Sequence, residues 1–345
     1  MAEVSGCDGG ELWFRFGDPD RALAGVRLQQ RIGIKSTDLW YDEQVRSWAL
    51  AIPRPAAWRI EYQFELRHPD GRTETVNDPD NPLRVAGAFG EKSVLECPDY
   101  APPGWLDAQV DPPPARDLAV AAPALGRDVE ARIVGPESPT GLVLVAHDGP
   151  EFDRLGGLSR FCAAMVAAGR LPEHHLVLLA PGDRNDWYSA NPAYAETLAG
   201  AVLPAVAGAL GGVRSVVGLG VSLGALAMLH AHHLHPTAFD GLFLQSGSFF
   251  LPRLDPQERG FGQFRRIIRF VGHVMREPGR PVPTAITCGA VEENMGNNRC
   301  MAGALRGHGY PLALAEFPDG HNFTAWRDAL DPHLIDLLKW VWRDA

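Results

Sequence analysis

The chain has 345 residues, 46% of them hydrophobic and 21% charged, so it carries enough apolar side chain for a full core and lies outside the composition of disordered proteins. Its formal net charge of −10 leaves no electrostatic footprint for nucleic acid, and no apolar run reaches the ~20 residues of a membrane span. The start, MAEVSGCDGGELWFRFGDPD, has no basic leader or apolar segment, and the five cysteines, odd in number and without a CxxC pair, read as reduced buried thiols, so a cytoplasmic protein is expected.

From Glu11 to about Cys97 short β-branched and aromatic runs (ELWFRF, GVRLQQRI, SWALAIP, RIEYQFELR, SVLEC) alternate with turn chemistry (FGDPD, HPDG, NDPDNP), and none has a helical period. This predicts a small antiparallel β-sandwich over residues 1–110. Its aromatic residues Trp13, Trp40, Tyr41, Trp48, Trp58 and Tyr62 read as core rather than as a sugar-stacking platform. A proline-dense stretch follows and predicts a stiff linker at 111–126. From 127 to 345 the texture changes. Wholly apolar runs (GLVLVAHDG, HLVLLAPGD, SVVGLGVS, DGLFLQSG, VPTAITCG, LALAEFPDGH) each precede a stretch of helical period, which predicts an α/β domain with a mainly parallel sheet covered on both faces. Reactive groups in such sheets gather at the carboxyl ends of the strands.

Gly220-Val221-Ser222-Leu223-Gly224 lies at one such end, between strand and helix, where a GxSxG pattern forms a nucleophile elbow. By itself the pattern also suits a serine capping the next helix. A serine nucleophile needs a base oriented by a third group. His321 in EFPDGHNFTAW is the expected base, and Glu292 in TAITCGAVEENMGNN the expected acid, with Glu293 as its substitute. For an oxyanion hole the Leu223 amide supplies one donor, and Gly149 or Glu151 the second, because Pro150 has no N–H. His230, His232, His233 and His235 crowd the helix after the elbow, but no carboxylate stands at ligand spacing, so no metal is expected and the four are placed at the helix's outer end. Between Leu251 and Pro281 the apolar stripe Phe261, Phe264, Ile267, Ile268, Val271 and Met275 leaves Arg265, Arg266 and Arg269 off its face. These arginines read either as a clamp for an acidic substrate or as a solvated outer surface.

Taken together, HDGPEF, PGDRNDWYSANPAY, GLGVSLGALAMLHAHHLHPTAFDGLFLQSGSFF and DGHNFTAWRDAL resemble the enterochelin esterase family, in the esterase-D-like branch of the α/β-hydrolases. The resemblance covers the whole chain, and it implies an α/β-hydrolase fold preceded by an early-set sandwich, which the DPDNP segment fits. It implies Ser222 as nucleophile, His321 as base and Glu292 as acid, and adds Arg184 as a substrate-binding residue. Two departures touch the oxyanion geometry: Gly224-Ala225 replaces a pair of glycines, and Pro150 follows the DG. The expectation is a serine carboxylesterase without cofactor, acting on a small-molecule ester such as a ferric siderophore and compatible with homo-oligomerisation. The same branch holds feruloyl esterases, other carboxylesterases and mycolyl transferases, so feruloyl, carbohydrate or lipid esters and acyl transfer stay open, as does a non-catalytic binding protein on the same fold.

Overall fold

The computed structural model describes residues 5–343 except 9, 35 and 278, so the first four residues of the expected leaderless start lie outside it. The chain divides into two compact units. The first holds Met1–Pro102 together with two later stretches, Gly289–Glu293 and Phe317–Ala325, and the second holds the rest.

In the first unit one antiparallel sheet runs β1-β2-β5-β4 (Gly6–Cys7, Glu11–Gly17, Ser47–Pro53, Trp40–Asp42), and a second runs β3-β6-β9-β8 (Gly25–Gln29, Arg59–Arg67, Gly90–Glu96, Arg84–Gly87) with β7 (Thr73–Val76) beside β6. Strand β6 shows why its sequence folds this way. Ile60, Tyr62, Phe64 and Leu66 point into the core while Glu61, Gln63 and Glu65 alternate outward. Leu12, Phe14, Val26, Leu28, Trp48 and Leu50 meet them, and Phe14 packs edge-on against Tyr62 at 5.0 Å. Of the six aromatics read as core, Trp48 and Tyr62 are buried and Trp40 is 56% exposed.

The expectation of reduced thiols is corrected here. Cys7 and Cys97 form a disulfide across 90 residues, joining β1 of one sheet to the residue after β9 of the other. Two cysteines so far apart in the chain meet only through the sandwich itself, which spacing arguments do not reveal. Cys162, Cys288 and Cys300 lie outside the disulfide.

The second unit is built on an eight-stranded sheet of order β10-β11-β13-β12-β14-β15-β16-β17 (Ala115–Val120, Val129–Val134, His175–Leu179, Leu142–Ala146, Ser215–Val221, Gly241–Gln245, Thr284–Gly289, Leu312–Phe317). Strands β13, β12, β14, β15 and β16 are parallel, whereas β10 and β11 are antiparallel additions at one edge. The segment expected as linker therefore contains a strand, β10, and the units divide at Pro102 and Pro103. Strands β12 to β16 are buried along their length except at half-buried Val216, as runs covered on both faces must be. No helix among the described residues is long and apolar enough to cross a membrane.

Candidate active site

Strand β14 ends at Val221 and the helix Leu223–Leu234 begins two residues later, so Ser222 must turn the chain between them. It does so with φ +55° and ψ −121°, a region costly for a side-chain-bearing residue. The flanking glycines differ in how tightly they are held: a Cβ on Gly220 would lie 2.3 Å from the Gly224 carbonyl oxygen, a clash, and one on Gly224 would lie 3.0 Å from His147 Cβ, a tight approach. Ser222 N–H donates to Gln245 O at 2.9 Å, and its carbonyl accepts from Ser248 N–H at 3.1 Å, which fixes the turn against the end of β15. Although Ser222 occupies the cap position, its hydroxyl makes no capping bond. Instead the oxygen lies 3.3 Å from the hydroxyl of Ser248, a residue the sequence reading left without a role although it sits in QSGSFF, just past a strand end.

Beneath the elbow lies a buried polar network. His147 Nδ1–H donates to the Gly224 carbonyl at 2.9 Å, and its Nε2 accepts from the Tyr194 hydroxyl at 2.8 Å. These roles are those of a neutral ring, which burial favours by pushing the His147 pKa down to about 4. The next residue, Asp148, has φ +50° and gives its N–H to the Tyr188 hydroxyl at 3.3 Å. Gly149 opens the helix Gly149–Gly156, and a Cβ there would lie 2.4 Å from Leu178 Cα, so only glycine lets this loop lie on β13. Leu223, Gly149 and Glu151 all belong to the first turns of helices, whose amides have no intrahelical acceptor.

In the first unit, Glu292 and His321 come together. His321 Nδ1–H donates to Glu292 Oε2 at 2.7 Å, and Glu292 Oε1 accepts from Gly289 N–H at 2.8 Å. The Glu292 side chain, which bonds the imidazole, is fully buried, whereas Glu293 is exposed. Around the histidine, Asp319 Oδ1 accepts from Gly320 N–H at 2.7 Å and from Asn322 Nδ2 at 3.2 Å.

The arginines depart from the sequence reading. Arg184 donates through Nε and Nη2 to both oxygens of Asp148, each at 2.7 Å. Arg266 donates through Nη1 to Asp186 Oδ1 at 3.0 Å and through Nε to the Ser189 carbonyl at 2.5 Å, while Arg265 is exposed. The forks of Arg184 and Arg266 thus bind internal partners, which neither of the two weighed readings foresaw. The placement of the histidines at an outer helix end is also corrected. His230 and His232 are buried, His232 Nε2–H donating to the Arg280 carbonyl at 2.8 Å, and burial lowers the His230 pKa to about 4. Among the described residues no group of His, Cys, Asp and Glu is arranged to hold a metal ion.

The family model described as "Putative esterase" matches residues 122–337. No curated protein matches the chain in sequence. Among solved structures, the ferric enterobactin esterase from Salmonella typhimurium superposes with a TM-score of 0.78 at 20% identity, covering 97% of this chain and 95% of that one. The enterobactin esterase from Shigella flexneri gives 0.76 at 19%, covering 99% and 97%. A ferulic acid esterase gives 0.53 at 17%, covering 67% of this chain and 97% of its own. These likenesses share the fold over both units in the first two cases and over two thirds of the chain in the third. With the family model covering well over half of the sequence, the chain belongs to the esterase family.

Proposed function

We propose that this esterase is a serine hydrolase in which Ser222 is the nucleophile, His321 the general base and acid, and Glu292 the carboxylate that orients the imidazole. The observation that carries the reading is the backbone of Ser222, held at positive φ in a strand-to-helix turn without capping the helix. Strain of this kind persists where the surroundings enforce it, and here it lifts a hydroxyl clear of the helix it precedes. In the first half-reaction Ser222 Oγ attacks the ester carbonyl as its proton passes to His321 Nε2, and that proton then goes to the departing alkoxide. An acyl-serine remains, and water deprotonated by the same nitrogen releases the acid. The imidazolium formed between these steps is stabilised by Glu292, whose second oxygen is anchored on Gly289 N–H. Leu223 N–H, with Gly149 or Glu151 N–H, receives the developing oxyanion.

The substrate we infer is a ferric siderophore ester of the enterobactin kind, acted on by the two whole-chain structural neighbours. No resident cofactor enters this chemistry. The Cys7–Cys97 disulfide favours an oxidising compartment over the cytoplasm expected from the sequence.

A fluorophosphonate probe should label Ser222 in wild type and not in Ser222→Ala, and Ser222→Ala and His321→Ala should each lose about a thousandfold in kcat with little change in Tm. Near-native turnover by either variant would remove the triad. Ferric enterobactin and p-nitrophenyl butyrate, assayed side by side, test the substrate: a kcat/KM for the siderophore no greater than for the aryl ester would reject it.

A further inference from the structure

We infer that Arg59, on strand β6 of the sandwich, is a positioning residue for the His321–Glu292 pair and acts on it through Asp319. The inference rests on the reading of His321 as the base. Arg59 Nη1 lies 3.5 Å from Asp319 Oδ2, and both side chains are only 2% exposed. The guanidinium is held in turn by Glu96, 3.5 Å from its Nε, and lies over the ring of Tyr100 at 5.2 Å. Asp319 passes this constraint to the histidine from both sides, because its other oxygen binds Gly320 N–H and the Asn322 amide, the residues immediately before and after His321.

Neighbouring contacts make the same attachment. Trp58 N–H donates to the Pro318 carbonyl at 2.6 Å, so adjacent sandwich residues grip adjacent residues of the histidine loop. Gly320 lies close enough to Ile32 that a Cβ would come within 3.0 Å of its Cγ2. The acid loop is seated on the same body: Val291, beside Glu292, packs against the sandwich core, and Ala290 N–H donates to the Phe317 carbonyl at 2.7 Å. Both members of the pair are therefore placed by strands and loops of the sandwich that themselves contribute no reacting atom. Within it Arg59 supplies the cation that faces the buried Asp319 carboxylate.

The test compares Arg59→Met, Arg59→Lys, Asp319→Asn and the double variant Arg59→Met/Asp319→Asn, in the full chain, with p-nitrophenyl butyrate as substrate. Three quantities are read: kcat and KM, the melting temperature, and the low-field proton resonance of the His321 Nδ1–H bonded to Glu292. We expect Arg59→Met to lower kcat at least tenfold with KM within twofold, and to broaden or abolish the low-field resonance. Arg59→Lys should recover most of both, and the double variant should lose no more than the worse single one. If Arg59→Met does not fold, the isosteric Asp319→Asn decides, with the same loss expected. Wild-type kcat and resonance in a folded Arg59→Met or Asp319→Asn, or losses that multiply in the double variant, would overturn the inference, since a purely structural pair lowers Tm alone. Active Ser222→Ala or His321→Ala would defeat the underlying reading instead, so the two failures are told apart.

Discussion

Replacing Arg184 with Gln separates a structural clamp from a substrate contact. In the wild type its guanidinium covers both oxygens of Asp148 at 2.7 Å, and the Asp148 side chain is only 4% exposed. Removing the arginine leaves that carboxylate out of reach of water and without its cation. Breaking one side of a buried pair costs about 3–5 kcal/mol, and because Arg184 is itself 35% exposed we take the lower end, about 3 kcal/mol. For a folding unit of this size that corresponds to a fall of roughly 6–12 °C in Tm. Asp148 directly precedes Gly149, so the displaced loop should lower kcat on charged and neutral esters alike. Thermal melts and kinetics on an anionic and a neutral aryl ester measure both effects. The double variant Arg184→Gln/Asp148→Asn should recover much of the lost Tm, since removing both charges leaves none stranded. An unchanged Tm, with KM raised for the anionic ester only, would refute this reasoning and return Arg184 to substrate binding.

Glu292→Gln should cost at least a hundredfold in kcat and Glu293→Gln less than threefold, measured on p-nitrophenyl butyrate, because the buried Glu292 carboxylate bonds His321 whereas Glu293 is exposed. Stability should fall as pH drops from about 6.5 to 4. His147 and His230 have folded pKa values near 4 against 6.5 unfolded, so the unfolded chain binds more protons in that window, and each contributes a slope of about 1.4 kcal/mol per pH unit in urea titrations. His230→Asn should remove its share of that slope. Reducing the Cys7–Cys97 bond, which closes a 90-residue separation, should destabilise the sandwich by up to about 4.6 kcal/mol. Thiol counting of the unreduced, denatured protein should find three thiols, and five would refute the bond.

Where local chemistry determines structure, the sequence was legible. The alternation in RIEYQFELR fixes which face of β6 is buried, and the uninterrupted apolar runs identify the central strands. The glycines around Ser222 signal a turn because a side chain on Gly220 would clash with Gly224 O and one on Gly224 would crowd His147. Strand β10 was hidden because ARDLAV is an edge strand, polar and largely exposed, that follows a proline cluster and is stabilised by pairing with β11. Strands β4, β7 and β8, of three or four residues, are too short to show a period. The remaining omissions are partnerships between distant residues. Arg184 with Asp148, Arg59 with Asp319 and Cys7 with Cys97 each depend on the folded path, and His232 is tolerated in a buried helix because the Arg280 carbonyl waits for it.

The chain order of the first unit has a bearing on its synthesis. Residues up to Pro102 leave the ribosome early, but Phe317–Ala325, which belongs to the same unit, follows only after the 214 residues from 103 to 316. At about 5–20 residues per second that is a wait of roughly 10–45 s. During it β6 and its neighbours can pair and Cys7 can meet Cys97, while the surface meant for Pro318 and Asp319 stays uncovered, with Arg59 among the residues left facing it. A nascent chain halted before residue 317 would thus present a nearly finished sandwich with one raw face, and that face is a ready target for a chaperone during translation.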